Sequence, residues 1–250
     1  MTVRFGDTLL LSAQAFEDLV SCAEGRPATD ELREAGVVRD GVVDPRLVPG
    51  LRAVLAPVAV VRAQVRTPAR SEVVQAWLRP EASAVLLPRD ALAELLVLGA
   101  DLVPAVLAQA VGLRPRPRPE LAPCRVPLAV VDALLDDADT AGLVAALPST
   151  WAGWAAGLSA DRWRAVAAVA AWPGEDAGSR ALAVLVGPRG LVRVHPDGDD
   201  AELRATTSTA VFRDLVRLLP TDPEVEGAVA STASGGARGQ AAAAVVVAEG

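Results

Sequence analysis

Residues 58–88, VAVVRAQVRTPARSEVVQAWLRPEASAVLLP, contain three stretches typical of β-strands, separated by short polar segments. VAVVRAQVR (58–66) passes from an apolar run to strict alternation, and VVQAWLR (73–79) and SAVLLP (83–88) follow it. Strands joined by so few residues must pair antiparallel, because a parallel crossover needs about a dozen residues or more. The stretch therefore predicts an antiparallel β-meander.

Helices are predicted on both sides of this meander. Before it, residues 12–23 carry apolar side chains at helical spacing, and a second helix is predicted from Asp44. After it, ALAELLVLGADLVPAVLAQA predicts one long apolar helix from Asp90 to about residue 110. Pro104 is expected to kink that helix or to mark its restart.

The second half of the chain repeats this order of helices, meander and final helix. The predicted helices of this half are 127–138, 149–166 and 209–220, and its predicted strands are 166–172, 179–187, 190–196 and 202–207. The simplest arrangement of two such units is one shared sheet in which a pseudo-two-fold axis relates one unit to the other. The predicted fold class is therefore α/β (α+β): duplicated helix–β-meander–helix units sharing a central antiparallel sheet flanked by helices.

These patterns also predict the domain organisation. We expect one pseudosymmetric domain over residues 1–220, with half-repeats at about 5–112 and 124–220. The Pro-rich stretch 113–123 would join the two halves. Residues 221–250 have a Gly/Ser/Ala bias and no amphipathic period, so most of this tail is expected to be disordered.

Composition narrows the classes of partner. The 250-residue chain has a net charge of −7 and contains no lysine, so every cation is an arginine. An acidic chain without a large basic stripe is a poor candidate for binding nucleic acid, which requires phosphate neutralisation. No signal peptide and no apolar run of about 18 residues is evident, so we expect a cytoplasmic protein without a membrane partner. The absence of Lys, Ile, Asn and Tyr indicates a GC-rich genome, such as that of an actinobacterium.

The stretch GLVRVHPDGDDAELR (190–204) holds the only histidine, His195, followed by Asp197, Asp199 and Asp200. Asp-Gly between alternating residues is a strong hairpin signal, because glycine adopts positive φ readily. A catalytic zinc or iron site needs further ligands, and no second histidine exists. We therefore interpret this stretch as a turn.

Other catalytic signals are weak. Two cysteines, Cys22 and Cys124, have neither metal-ligand spacing nor a neighbouring base, and no nucleophile elbow, P-loop or dinucleotide fingerprint occurs. We predict no catalytic residue, no bound metal and no cofactor. The alternative left open is an enzyme that uses carboxylates alone, with Asp197, Asp199 or Asp200 as acid, base or magnesium ligand.

The tryptophans admit two interpretations. Trp151 and Trp154 belong to a cluster within a helical segment of a chain otherwise poor in aromatic residues, and Trp77 lies beside Arg79 on a meander strand. Core packing is the default interpretation, but tryptophan is also enriched at protein–protein hot spots. A contact with a partner, or self-association into a homodimer through the Trp-bearing helices, stays open.

Several segments together resemble the EspG family of type VII (ESX) secretion-associated proteins. They are LREAGVVRDGVVDPRLVPGLRAVLAPVAVVRAQV, VVQAWLR, AVLLP, GLRPRPRP…CRVPLAVVDALL and GLVRVHPDGDDAELRATTSTAVFRDLVRLL. The resemblance spans about residues 5–220 in the right order and depends mainly on the layout and on the stretch AGVVRDGVVDPRL.

This resemblance implies a cytoplasmic chaperone with a pseudo-two-fold α/β fold that binds a helical type VII secretion substrate, a PE/PPE-like heterodimer. It further implies that a loop between strands of the central sheet and a C-terminal helical region contact the substrate. On this chain the loop corresponds to Arg66, Thr67, Pro68, Ala69, Arg70 and Ser71. With Trp77, Arg79, Trp151 and Trp154, these residues form the predicted partner-binding set.

Overall fold

The computed structural model describes residues 2–5, 8–173 and 178–226. Eleven strands form one antiparallel sheet in the order β1-β2-β8-β7-β6-β5-β10-β11-β12-β13-β9, and β3 and β4 form a separate hairpin. The strands are β1 (Thr2–Phe5), β2 (Thr8–Leu11), β3 (Val38–Arg39), β4 (Val42–Val43), β5 (Ala59–Arg66), β6 (Ser71–Leu78), β7 (Ser83–Arg89), β8 (Leu92–Leu98), β9 (Cys124–Pro127), β10 (Arg164–Trp172), β11 (Gly178–Gly187), β12 (Gly190–Asp197) and β13 (Asp200–Thr206). The predicted fold class is confirmed.

The sheet is built from two equivalent halves that meet at β5 and β10. When these strands are aligned at their first residues, Ala63 corresponds to Ala168, and the two residues face each other across the β5–β10 ladder. In the neighbouring strands the two halves are related by an offset of 108 residues. The pair Ala76–Val85, which faces across β6 and β7, corresponds to the pair Val184–Arg193, which faces across β11 and β12. The registers of the two meanders are therefore related by a pseudo-two-fold axis through the centre of the sheet.

Helices cover both faces of the sheet. They are α1 (Ala13–Ala23), α2 (Asp30–Glu34), α3 (Val48–Leu55), α4 (Val103–Ala110), α5 (Leu128–Asp137), α6 (Ala141–Ala146), α7 (Ala152–Ser159) and α8 (Ser208–Leu218). On one face α4 and α8 share a single core cluster with the central strands. On the other face α1–α3 form a core with the first half, and α5–α7 form another with the second half.

Local chemistry explains several helix boundaries. Ser12 and Thr207 cap α1 and α8, each accepting a hydrogen bond from the backbone N–H three residues on. Pro104 lies at the start of α4, where its missing N–H removes no helical hydrogen bond. Pro104 therefore neither kinks a longer helix nor restarts one.

The prediction of one long helix from Asp90 to residue 110 is wrong. Its first part is strand β8, which pairs with β7 across a turn in which Asp90 has a positive φ of 55°. A short, nearly continuous apolar run fits a buried strand as well as a helix, and the turn decides between them.

Two other boundaries differ from the prediction, and three strands were missed. The second helix starts at Val48 rather than Asp44. The predicted helix over 149–166 is a 3₁₀ turn at Ser149–Trp151 and then α7, because strand β10 already begins at Arg164. Strands β1, β2 and β9 were not predicted, since each has only four residues.

The segments that connect and follow the two halves have different structures. Residues 113–123, the predicted linker, contain no helix or strand, whereas residues 222–226 are helical. That most of the tail is disordered stays a prediction. Residues 227–250 lie outside the described part of the chain. None of the described helices has the length and apolar composition needed to span a membrane.

Candidate functional site

On the face that carries α1–α3 and α5–α7, none of the described residues covers the centre of the sheet. Exposed side chains on this sheet strip come from three adjacent strands: Arg62, Val169, Ala171, Ser179 and Ala181. Val169 faces Arg62 on one side and Ala181 on the other, and its side chain is 46% exposed. Three strand spacings from β6 to β11 span about 14 Å, which is wide enough for one helix of about 10–12 Å diameter.

The predicted loop 66–71 lies at one end of this strip, as the hairpin between β5 and β6. The backbone N–H of Thr67 donates to the carbonyl of Arg70 (2.8 Å), and the Thr67 hydroxyl accepts from the Arg70 N–H (3.1 Å). Pro68 and Ala69 form the exposed tip. The hairpin is therefore closed by its own hydrogen bonds and presents a small, well-defined tip.

One hydrogen bond joins this hairpin to the second half, and further contacts hold it within the first half. Gln64 Nε2 donates to the Ser71 hydroxyl and to the carbonyl of Leu135 on α5, both at 3.3 Å. Arg70 forms an ion pair with Glu72 (3.1 Å) and approaches Asp90 at 3.8 Å. Arg66 is half-buried at the end of β5, and its buried Nε has no hydrogen-bond partner in the described structure.

A wide groove of about 1120 Å³ opens at the same end of the sheet, on the side of α4. Its walls are the β5–β6 hairpin, the end of β7, the C-terminal end of α4, the linker and the start of β10. Six arginines and three carboxylates line this arginine groove: Arg70, Arg89, Arg114, Arg116, Arg162, Arg164, Glu72, Asp90 and Asp161.

Two of these arginines also hold the groove together. Arg164 Nη1 donates to the carbonyl of Val111 (2.7 Å), and Arg116 Nη1 donates to the carbonyl of Gly187 (2.9 Å). Gly112 permits the first contact, because a Cβ there would lie 1.8 Å from Arg164 Nη1. Burial lowers the pKa of Arg164, and its arginine neighbours lower the pKa further while Glu72 opposes them.

The tryptophans of the predicted binding set are core residues. Trp77, Trp151 and Trp154 are at most 4% exposed. Trp77 stacks on Phe16 with ring centroids 5.7 Å apart, while Trp151 and Trp154 meet edge to face. The Trp151 indole N–H donates to the carbonyl of Ala122 (3.1 Å). Their packing corrects the expectation that these three side chains form a binding surface.

Arg79 is also remote from the predicted loop. It follows the opposite end of β6, about 25 Å of strand from the hairpin. There its Nη1 donates to the carbonyl of Ala56 (2.7 Å) and its Nε pairs with Glu81 (3.2 Å). The structure thus brings together residues 66–71 of the predicted set and separates Arg79 from them.

The His195 stretch is a hairpin turn, as predicted. Gly198 has a φ of 64° between β12 and β13, and Asp197 pairs with Arg125 at 2.7 Å. Burial lowers the pKa of His195, and the nearby Arg193 lowers it further. Across the described residues, no three His, Cys, Asp or Glu side chains are grouped so that they could hold a metal ion. Nothing in this geometry supports the carboxylate-enzyme alternative.

The two cysteines are not paired with each other and are half-buried. Burial raises the pKa of the Cys124 thiol to about 11, so little of it is thiolate near neutral pH. Cys124 therefore has the character of a packing residue rather than of a nucleophile.

Sequence reasoning did not find the arginine groove. Residues 114–118 lie in the stretch that is predicted only as a linker, although Arg116 turns inward to Gly187. The groove exists because β5 pairs with β10, which brings residues 70, 116 and 164 together. No local sequence pattern indicates which distant strands pair.

Comparison with solved structures identifies a protein with a similar fold. The chain superposes on the type VII secretion system chaperone EspG5 of Mycobacterium tuberculosis, solved in complex with a PE25–PPE41 dimer, with a TM-score of 0.58 and 13% sequence identity. The match covers 90% of this chain and 96% of that chain. No protein-family model and no curated protein sequence matches the chain. The chain therefore has an EspG-like fold.

Proposed function

We propose that this protein is a cytoplasmic chaperone that binds a helical type VII secretion substrate, a PE/PPE-like heterodimer, and that it does so without catalysis. The uncovered sheet strip carries the proposal. Helices cover the sheet elsewhere on this face, whereas the strip leaves Val169 46% exposed at its centre. Its width suits one substrate helix or the tip of a helical hairpin.

The chemistry of the strip supports this role. Alanines at 171 and 181 beside Val169 give a shallow, apolar floor, and Arg62 adds a charged group at its edge. Apolar anchors surrounded by polar groups are typical of helix-in-groove recognition. The hairpin tip at Pro68 and Ala69, at the end of the strip, would contact the same partner. The EspG-like fold supports the assignment, because the matched protein is a chaperone.

Co-expression with a PE/PPE pair, followed by size-exclusion chromatography, tests the proposal. The wild-type chain should co-elute with the pair, and Val169→Glu should weaken the complex about tenfold or more by placing a charge on the apolar floor. Val42→Glu is the matched control, because Val42 is 64% exposed on a separate hairpin. Failure of the wild-type chain to bind such pairs, or equal binding by both variants, would overturn the proposal.

Self-association through the Trp-bearing helices is not supported by the structure. Trp151 and Trp154 are buried within the protomer, so they offer no surface to a second copy. A homodimer formed through another surface stays a prediction, to be tested by light scattering.

A further inference from the structure

The arginine groove concentrates positive charge on an acidic protein. The chain has a net charge of −7, yet six of its 24 arginines line this one groove, against three carboxylates. The side chains of Arg114 and Arg162 are exposed and form no hydrogen bond or ion pair within the described part of the chain. Clustered cations without partners repel each other and favour the binding of an anion.

At the opposite end of the sheet, an arginine binds a carboxylate. There Arg180 Nη2 donates to both carboxylate oxygens of Glu224, at 2.6 and 2.9 Å, and Nη1 donates to the carbonyl of Leu219 (2.6 Å). The residue supplying this carboxylate belongs to the helical turn that follows α8. At this end, a glutamate of the chain itself occupies the space beside the sheet.

The pseudo-two-fold axis relates that filled end to the arginine groove, but with the charges exchanged. The strand registers place Glu72 at the position of Arg180, because Glu72 faces Val65 on β5 and Arg180 faces the equivalent Ala170 on β10. Glu72 pairs with Arg70, and Arg116 points to the carbonyl of Gly187. The linker therefore leaves the groove open, with its arginines facing a space that none of the described residues fills.

The lining of the groove selects among anions. Glu72, Asp90 and Asp161 interrupt the arginines, and the C-terminal end of α4, which carries partial negative charge, also faces the groove. These groups would repel a continuous polyanion such as nucleic acid. Separate carboxylates on a peptide can instead each meet one arginine, which binds a carboxylate with two donors. The volume of about 1120 Å³ exceeds that of most small-molecule pockets and suits an extended segment.

We propose that the arginine groove binds an acidic peptide segment of a protein partner, with Arg114, Arg162 and Arg164 holding its carboxylates. This site lies on the opposite face of the sheet from the sheet strip and shares only the β5–β6 hairpin with it, and the proposal does not depend on the chaperone function. Arg164, anchored to Val111, provides a fixed cation at the base, while Arg114 and Arg162 form the rim.

Fluorescence polarisation with a short labelled glutamate-rich peptide tests this proposal on the full chain. The wild-type protein should bind the peptide, and binding should weaken as salt is added. The same peptide with glutamine at every glutamate position should not bind. The double variant Arg114→Gln/Arg162→Gln should weaken binding by about tenfold or more, because it removes two rim cations without touching the anchored Arg164.

The matched control removes the same amount of charge elsewhere. Arg52→Gln/Arg213→Gln changes two exposed arginines outside the groove and should leave the affinity within about twofold of wild type. Equal weakening in both double variants would overturn the proposal, because it would show a nonspecific charge effect. Absence of peptide binding, or tighter binding of inorganic phosphate or duplex DNA than of the peptide, would also overturn it.

Discussion

The two ends of the β5–β10 strand pair have the same strand arrangement but differ in what occupies them. At one end, Arg180 holds Glu224 from the segment that follows α8. At the other end, the segment that follows α4 runs on as the linker, Arg116 turns to Gly187, and the described residues leave the arginine groove open. The course of the chain after the final helix of each half decides whether that end is filled.

On the face of the sheet that does not carry α4 and α8, the helical layers of the two halves also differ. Helices α3 and α7 have the same length and the same place in their repeats, and Gly50 in α3 corresponds to Trp154 in α7. Gly50 lets α3 approach the sheet closely, since a Cβ there would lie 2.4 Å from Val97 Cγ2. Trp154 instead fills the space under α7, next to Gly187. In the first half a glycine on the helix makes room for a side chain of the sheet, and in the second half a glycine on the sheet makes room for a side chain of the helix.

The largest expected effect tests the tryptophan-filled layer. Trp154→Ala should lower the free energy of unfolding by about 3–5 kcal/mol, because it removes a buried indole and leaves a cavity. Urea denaturation followed by circular dichroism measures the change. Phe212→Ala is the control: Phe212 is 38% exposed on α8, so its loss should cost less than about 1 kcal/mol. A loss below about 1 kcal/mol for Trp154→Ala would contradict the assignment of Trp154 to the core.

The next effect tests the close approach of α3. Gly50→Ala should lower the free energy of unfolding by about 1–3 kcal/mol, because the added methyl group meets several atoms of Val97 and must displace it. The same denaturation experiment applies. Gly153→Ala on α7 is the matched control, since its Cβ would meet only the mobile end of Arg189. That variant should be neutral or gain up to about 1 kcal/mol from helix propensity. If both variants behaved alike, the two helices would not differ in how closely they pack.

The smallest effect is local and concerns the filled end. The pKa of Glu224 is lowered by a hydrogen bond from the backbone N–H of Thr221, then by the Thr221 hydroxyl and by Arg180. The charged form is therefore favoured in the folded state, and its contribution is present above the ordinary pKa of 4.5 and lost as the pH falls through the lowered value. The NMR shift of the Thr221 amide should stay constant from neutral pH to about pH 5 and change below it.

Glu224→Gln provides the control for this titration. The Thr221 amide of that variant should show no such transition, because glutamine does not ionise. A transition that persists in the variant would show that another group controls the position of residues 221–226. Arg180→Gln should raise the pH at which the wild-type transition occurs, since a cation that favours the charged carboxylate is removed.

Much of the sheet could be predicted from the sequence because its signals are local. Alternation and short turns gave β5–β7 and β10–β13 within a few residues, and the helix over 127–138 was similarly close. The failure at β8 has a physical reason: apart from Glu94, the run over 92–98 is apolar on both faces, so its period does not distinguish strand from helix. Strands β2 and β9, near the two edges of the sheet, are too short to carry a pattern, and long-range pairing alone creates them.

Among the candidate sites, one was found from the sequence and two depend on long-range strand pairing. The hairpin at residues 66–71 was found, through a family resemblance and not through a motif of its own. The uncovered strip and the arginine groove both depend on β5 lying beside β10, strands that are separated by about a hundred residues of sequence. Tryptophan content alone could not decide between core and interface, because both environments favour that residue.

The facing pair Ala63–Ala168 has an evolutionary consequence. Two strands that meet antiparallel about a two-fold axis have the geometry by which identical subunits join their sheets, so a duplicated gene encoding such a subunit would yield this architecture once its copies were fused. In an assembly of identical subunits, both ends must carry the same residues. A fused chain is free of that constraint, and here it places arginine at one end and glutamate at the equivalent position of the other.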